Sequence, residues 1–109
     1  MNLSIYKVND ACINSVNEPR IDAAIAIQFK DRMREKTEDA GAHIVLDLGQ
    51  VDFIDSSGLG AIVAAMKQVG PDRRLDLAVL NPNVDKVFRL TRMDSVFRIF
   101  DTLEEALAQ

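Results

Sequence analysis

The sequence contains no tryptophan, a single tyrosine, one cysteine and one histidine. Each scarcity excludes something. With aromatic residues so few, the core must rest on Ile, Val, Leu, Met and five Phe. Cys12 has no partner for a disulfide within the chain, and it sits in an apolar-rich stretch, so it reads as a small buried hydrophobe of a reduced cytosolic protein. A reactive thiol would call for nearby positive charge or a helix start, and neither is evident around Cys12. His43 and Cys12 together cannot build a zinc site, and no metal-ligand spacing suggests one, so no metal is expected. No apolar run approaches the roughly 20 residues needed to span a bilayer. The segment Met1-Asn2-Leu3-Ser4-Ile5-Tyr6 lacks the basic start and apolar stretch of a signal peptide. The expected location is cytoplasmic, with no membrane partner.

Basic residues are also in the minority. The formal net charge is −4, and the cations are scattered singly or in short pairs such as Arg73-Arg74. Nucleic acid would demand a basic face, so direct nucleic-acid contact is not expected. What remains is an ordinary globular composition over 109 residues, enough for one compact domain, 1–109.

The order of elements follows from periodicity. Leu3 to Tyr6 and Ala11 to Val16 read as two short strands joined at Asn9-Asp10 in a hairpin, and Pro19 closes that region. Asp22 reads as the N-cap of a helix running to about Glu38, with Ile25, Phe29 and Met33 on one face and Lys30, Arg34 and Glu38 on a solvated one. Gly41 is its stop signal. Ile44 to Leu48 is a continuous apolar run, as expected of a strand buried on both faces. Val51 to Ile54 leads to a second helix with Leu59, Ile62, Val63 and Met66 at helical spacing, ended by Gly70-Pro71-Asp72. Leu75 to Leu80 is the next buried strand. Pro82-Asn83 opens a helix carrying Val84, Val87, Phe88 and Thr91, and Val96 to Phe100 is a last strand. Thr102-Leu103-Glu104-Glu105 has the capping-box form for a closing helix that buries Leu103 and Leu107. The pattern predicts an α/β fold: a mixed sheet with the N-terminal hairpin at one edge, covered by about four helices.

The stretch that carries chemistry is Asp52-Phe53-Ile54-Asp55-Ser56-Ser57-Gly58-Leu59-Gly60. A strand ends, a polar turn follows and a helix begins at once. Backbone N–H groups at a helix start lack intrahelical partners and carry partial positive charge. A serine there is a helix cap on the plainest reading, with the glycines serving tight packing. The same hydroxyl, once phosphorylated, would place about −1.5 to −2 charges in a field that tolerates anions. Enzymatic readings fit less well. Gly58-Leu59-Gly60 lacks the third glycine of a dinucleotide fingerprint, no Lys follows at P-loop spacing, and Ser56 is not in a Gly-x-Ser-x-Gly elbow. His43, at a strand start, reads as a structural or surface residue. No enzyme and no cofactor are expected.

The segment Phe53-Ile54-Asp55-Ser56-Ser57-Gly58-Leu59-Gly60 resembles the phosphorylation loop of the STAS domain family, and within it the bacterial anti-sigma factor antagonists. The resemblance extends through Asn81-Pro82-Asn83-Val84-Asp85-Lys86-Val87-Phe88-Arg89-Leu90 to Met93 and Val96-Phe97-Arg98-Ile99-Phe100, with a weaker match at Ile21-Asp22 and Ala23-Ala24. It implies a STAS-type fold and a partner switch. The serine after the aspartate is phosphorylated by a partner that is both anti-sigma factor and ATP-dependent serine kinase. The unmodified form binds that partner and frees the sigma factor, the phosphorylated form lets go, and a metal-dependent serine phosphatase resets it. Carried onto this chain, Ser56 is the phosphoacceptor, Asp55 its neighbour in the recognition loop, Ser57, Gly58 and Leu59 the contact surface, and Asp22 either a contact from the adjacent loop or a plain cap. The alternative is a constitutive STAS scaffold or transport-complex subunit that is not phosphorylated. Where the family carries Gly-Glu or a similar pair before Ile/Leu-Asp, this chain has Pro19-Arg20, and Arg20 is expected near Ser56, partly neutralising its phosphate.

Overall fold

The computed structural model describes residues 1–108. Strands β1 (Leu3–Val8) and β2 (Ala11–Val16) form the expected antiparallel hairpin, with Asn9 at the turn in the left-handed region at φ 56°. Asn tolerates that conformation better than most residues because its short polar side chain bonds locally. The chain then runs through β3 (Arg20–Ile21), helix α1 (Ala26–Thr37), β4 (His43–Asp47), β5 (Phe53–Ile54), α2 (Ser56–Val69), β6 (Arg74–Ala78), α3 (Pro82–Leu90), a 3₁₀ turn at Met93–Ser95, β7 (Ile99–Phe100) and α4 (Leu103–Leu107). Five strands make one sheet in the order β1-β2-β4-β6-β7, with β2, β4, β6 and β7 mutually parallel. β3 and β5 pair separately as a short parallel ribbon.

Side-chain alternation sorts the core onto the two faces of the sheet. Ile44, Leu46, Leu75 and Leu77 join Phe29, Met33, Ile62, Val84 and Phe88 in the larger cluster, under α1, α2 and α3. Val45, Ile13 and Ala78 face the other way and meet Ala106 of α4 in a smaller cluster. The unbroken burial of Ile44, Val45 and Leu46 is thus the signature of a strand covered on both sides. Cys12 is buried within the larger cluster.

Several boundaries differ from expectation, each for a local reason. Helix α1 begins at Ala26, not at Asp22: the Asp22 carboxylate accepts from Ala24 N–H at 3.0 Å and its carbonyl from Ile25 and Ala26. Asp22 therefore caps a turn that leads into the helix. In α2 the fully buried stripe is Gly58, Ala61, Ile62, Ala65 and Val69, while Leu59, Val63 and Met66 pack at its flanks. Small residues occupy that stripe because α2 lies against both α1 and the larger cluster. β6 stops at Ala78 because Val79 takes φ 64°, turning the chain out of the sheet. The last strand shrinks to Ile99–Phe100: Val96 is exposed after the 3₁₀ turn, and Phe97 turns inward to meet the Phe88 ring edge-on at 5.9 Å. In α4, Thr102 accepts from Glu105 N–H at 3.1 Å as its capping box requires, but Ala106 is the fully buried residue and Leu103 and Leu107 are partly covered.

Candidate functional site

The parallel strands β2, β4 and β6 all end on one side of the molecule, and the segments leaving them carry the residues singled out in the sequence. From β2 comes Pro19 to Asp22, from β4 comes Gln50 to Ser56, and from β6 comes Leu80 to Pro82. Segments beyond the carboxyl ends of parallel strands are where open α/β sheets place their sites.

Asp55 organises this end. Its backbone is extended at φ −106°, ψ −175°, which lets the side chain fold back over the helix start, and Oδ1 accepts from Gly58 N–H at 2.9 Å. Oδ2 accepts from Ala23 N–H at 3.2 Å, tying the β3–α1 loop to the α2 start. One carboxylate thus satisfies two backbone donors, and its negative charge complements the positive end of the helix. The consequence for Ser56 is direct. The cap of α2 is Asp55, and Ser56 is the first residue inside the helix, exposed, with its Oγ making no hydrogen bond to the described residues. A serine employed as the cap would have had its hydroxyl engaged by the backbone; this one is available for chemistry.

Ser57 is exposed beside it, and Leu59 is half-buried against the larger cluster. Gly58 is buried, and a Cβ at that position would fall 1.9 Å from the Ile21 carbonyl oxygen. Only a glycine lets α2 approach β3 this closely. Asp22 stands on the adjacent loop, its carboxylate engaged by Ala24 N–H and 3.9 Å from the Arg20 guanidinium. The structure therefore brings Asp22, Asp55, Ser56 and Ser57 to one corner, with Gly58 beneath them and Leu59 at the margin.

Two contributors escaped the sequence reading. Pro19, expected only to end the hairpin region, uses its carbonyl to accept from Asp52 N–H at 2.8 Å and Phe53 N–H at 3.3 Å, which opens the β3–β5 ribbon. Asn81 looks like an ordinary cap before Pro82, yet its side chain makes no capping bond. Its Nδ2 donates instead to the carbonyls of Gly49 at 3.0 Å and Val51 at 2.8 Å, fastening the start of α3 to the segment that feeds β5. The available signal was only an Asn followed by Pro, which local rules assign to a helix start.

His43 lies at the N-terminal end of β4, away from this corner, and its Nε2 meets the buried carboxylate of Asp76 at 2.8 Å. Arg74 Nε donates to the same Oδ2 at 2.9 Å, so the histidine belongs to a structural hydrogen-bonded cluster on the α4 side of the sheet. Among the described residues no group of three or more His, Cys, Asp or Glu is arranged to hold a metal ion, and no helix is long and apolar enough to cross a membrane.

Comparison with known proteins identifies the family. The STAS domain family matches residues 2–106. The chain is 30% identical over 112 aligned positions to BtrV of Bordetella bronchiseptica, which bears the name of an anti-sigma factor antagonist, covering 99% of this chain and 93% of that one. The crystal structure of an anti-sigma factor antagonist from Mycobacterium paratuberculosis superposes with a TM-score of 0.88 at 23% identity, covering 98% of this chain and 91% of the other. The Bacillus cell fate determinant SpoIIAA in its phosphorylated form shares the fold with a TM-score of 0.69 at 19% identity, covering 98% of this chain and 97% of the other. From its sequence, its sheet order and its helix cover alike, the chain belongs to the STAS domain family.

Proposed function

We propose that this protein is a cytoplasmic anti-sigma factor antagonist that works by partner switching. Unphosphorylated, it binds an anti-sigma factor that is also a serine kinase, and the sigma factor is freed. The kinase transfers the γ-phosphoryl group of ATP to Ser56 Oγ, ADP leaves, and the modified protein lets go. A metal-dependent serine phosphatase hydrolyses the phosphoester and restores the binding form. The chain is the substrate in this cycle and catalyses none of its steps.

The observation that carries this reading is the division of labour between Asp55 and Ser56. Because Asp55 caps α2, the neighbouring hydroxyl is exposed and makes no hydrogen bond to the described residues, and its modification would leave the helix cap in place. Anti-sigma factor antagonist is also the name carried by relatives spanning nearly the whole chain. In the complex, Ser56 and Ser57 would lie at the centre of the contact, with Asp22, Asp55 and the exposed edge of Leu59 around them. Gly58 contributes by setting how close α2 stands to β3.

Release needs no large conformational change. A dianion at Ser56 would have to be desolvated against the partner beside Asp55 and Asp22, and interfaces tolerate such a charge poorly. A 100-fold loss of affinity requires about 2.7 kcal/mol, within reach of one buried, poorly paired charge. In affinity capture, Ser56→Ala should retain the kinase partner and Ser56→Asp should lose it. Mass spectrometry after incubation with ATP and that partner should find one phosphate, on Ser56. An unmodified Ser56, with both variants holding the same proteins, would point to a constitutive STAS scaffold instead.

A further inference from the structure

The ribbon of β3 and β5 has an inner and an outer side. Ile21 and Ile54 are register partners and both are buried, so their neighbours Arg20 and Phe53, also register partners, face outward. The Arg20 guanidinium lies over the Phe53 ring, 5.6 Å from its centroid, and Phe53 is 48% exposed. The same guanidinium is 3.9 Å from Asp22 Oδ2, too far for a hydrogen bond, and the Arg20 side chain is 64% exposed. An ion pair this long and this exposed contributes little to stability.

Charge in the two segments that build the corner is one-sided. In residues 17–22 and 49–59 the charged side chains are Glu18, Asp22, Asp52, Asp55 and a single cation, Arg20. The Asp55 and Asp22 carboxylates are committed to backbone donors: Asp55 to Gly58 and Ala23, and Asp22 to Ala24. Arg20 has no such commitment and can re-aim. Its guanidinium carries the planar fork that suits phosphate oxygens.

Resting on the proposed phosphorylation of Ser56, we propose that Arg20 is the intramolecular counter-charge of the modified serine. Its guanidinium leaves Asp22, stays over the Phe53 ring and pairs with the phosphate, favouring the dianion. Without it, the charged side chains left in those two segments, Glu18, Asp22, Asp52 and Asp55, are all acidic, and a larger part of the population would take up a proton. Arg20 therefore raises the dianionic share of the released state.

The test uses full-length protein carrying phosphoserine at position 56 installed during translation, so that no kinase is needed, with the phosphorus resonance followed as a function of pH. An unperturbed phosphoserine titrates near pH 6. R20Q, which keeps the length of the side chain without its charge, should raise the titration midpoint by about 0.4 unit, about 2.5-fold in the protonation constant. R20K should retain part of the effect, and about 1 M salt should erase the difference between R20Q and the parent. Melting curves of the unphosphorylated forms should coincide, because Arg20 is exposed. Coincident titrations of parent and R20Q, or a difference that salt leaves untouched, would overturn the assignment. Neither result depends on a partner kinase, whereas absence of phosphate after incubation with that kinase would count against the proposed function alone.

Discussion

At Gly58 a side chain has nowhere to go, because a Cβ there would lie 1.9 Å from the Ile21 carbonyl oxygen and 2.7 Å from its carbon, both backbone atoms. Gly60, two residues on in the same helix, has nothing within 4 Å of its would-be Cβ. The same substitution should therefore have opposite signs at the two positions. Gly58→Ala must push β3 away from α2 and should destabilise by about 1–3 kcal/mol, the usual scale of overpacking. Gly60→Ala removes a flexible residue from an exposed helix position and should stabilise by about 0.5–1 kcal/mol. Urea denaturation of the two variants decides the matter, and equal shifts of the same sign would contradict the close approach at Gly58. The glycines in this loop were visible in the sequence as a motif. That one is required by the backbone of β3 and the other is not depends on where Ile21 lies, and Ile21 is far away along the chain.

The elements at the Ser56 corner are short, and they are held by side chains rather than by long ladders. β3 and β5 have two residues each, and the segment between β4 and β5 owes its path to Asn81, which reaches it from the start of α3. Asn81→Ala would leave two carbonyls without their donor and should cost about 1–2 kcal/mol. Because the break is local, amide exchange should rise first in residues 49–55, at the entrance to the Ser56 loop. Exchange that rises uniformly over the chain would show that Asn81 does not hold this segment in particular. The hairpin, both long helices and the buried strands were legible from periodicity, since each writes its own pattern locally. The β3–β5 ribbon was not, because two residues carry no period, and its pairing depends on the Pro19 carbonyl meeting Asp52 and Phe53.

The whole molecule is unequal on its two faces. Three helices and the larger cluster cover one side of the sheet, while α4, five residues long, and a cluster of four buried residues close the other. Few buried apolar contacts mean low local stability. Hydrogen exchange should find the amides of β4 the slowest and those of α4 faster by at least about tenfold, a difference of about 1.4 kcal/mol in opening free energy. Equal protection of α4 and β4 would show instead that the two faces unfold as one unit. The order of strands and helices, the mixed sheet and the Asp55-Ser56-Ser57-Gly58 turn follow from residues close together in the chain, where propensity, periodicity and capping act. Which residue caps α2, why Gly58 cannot be replaced and how Arg20 comes to lie on Phe53 were decided only by the packed structure. Asp55 meets Ala23 across 32 positions of chain, and Asn81 meets Gly49 across another 32. Local patterns cannot encode the direction in which two such distant segments approach, so Ser56 could be singled out from its neighbours in sequence, while the exposure of its hydroxyl beside the Asp55 cap depended on its neighbours in space.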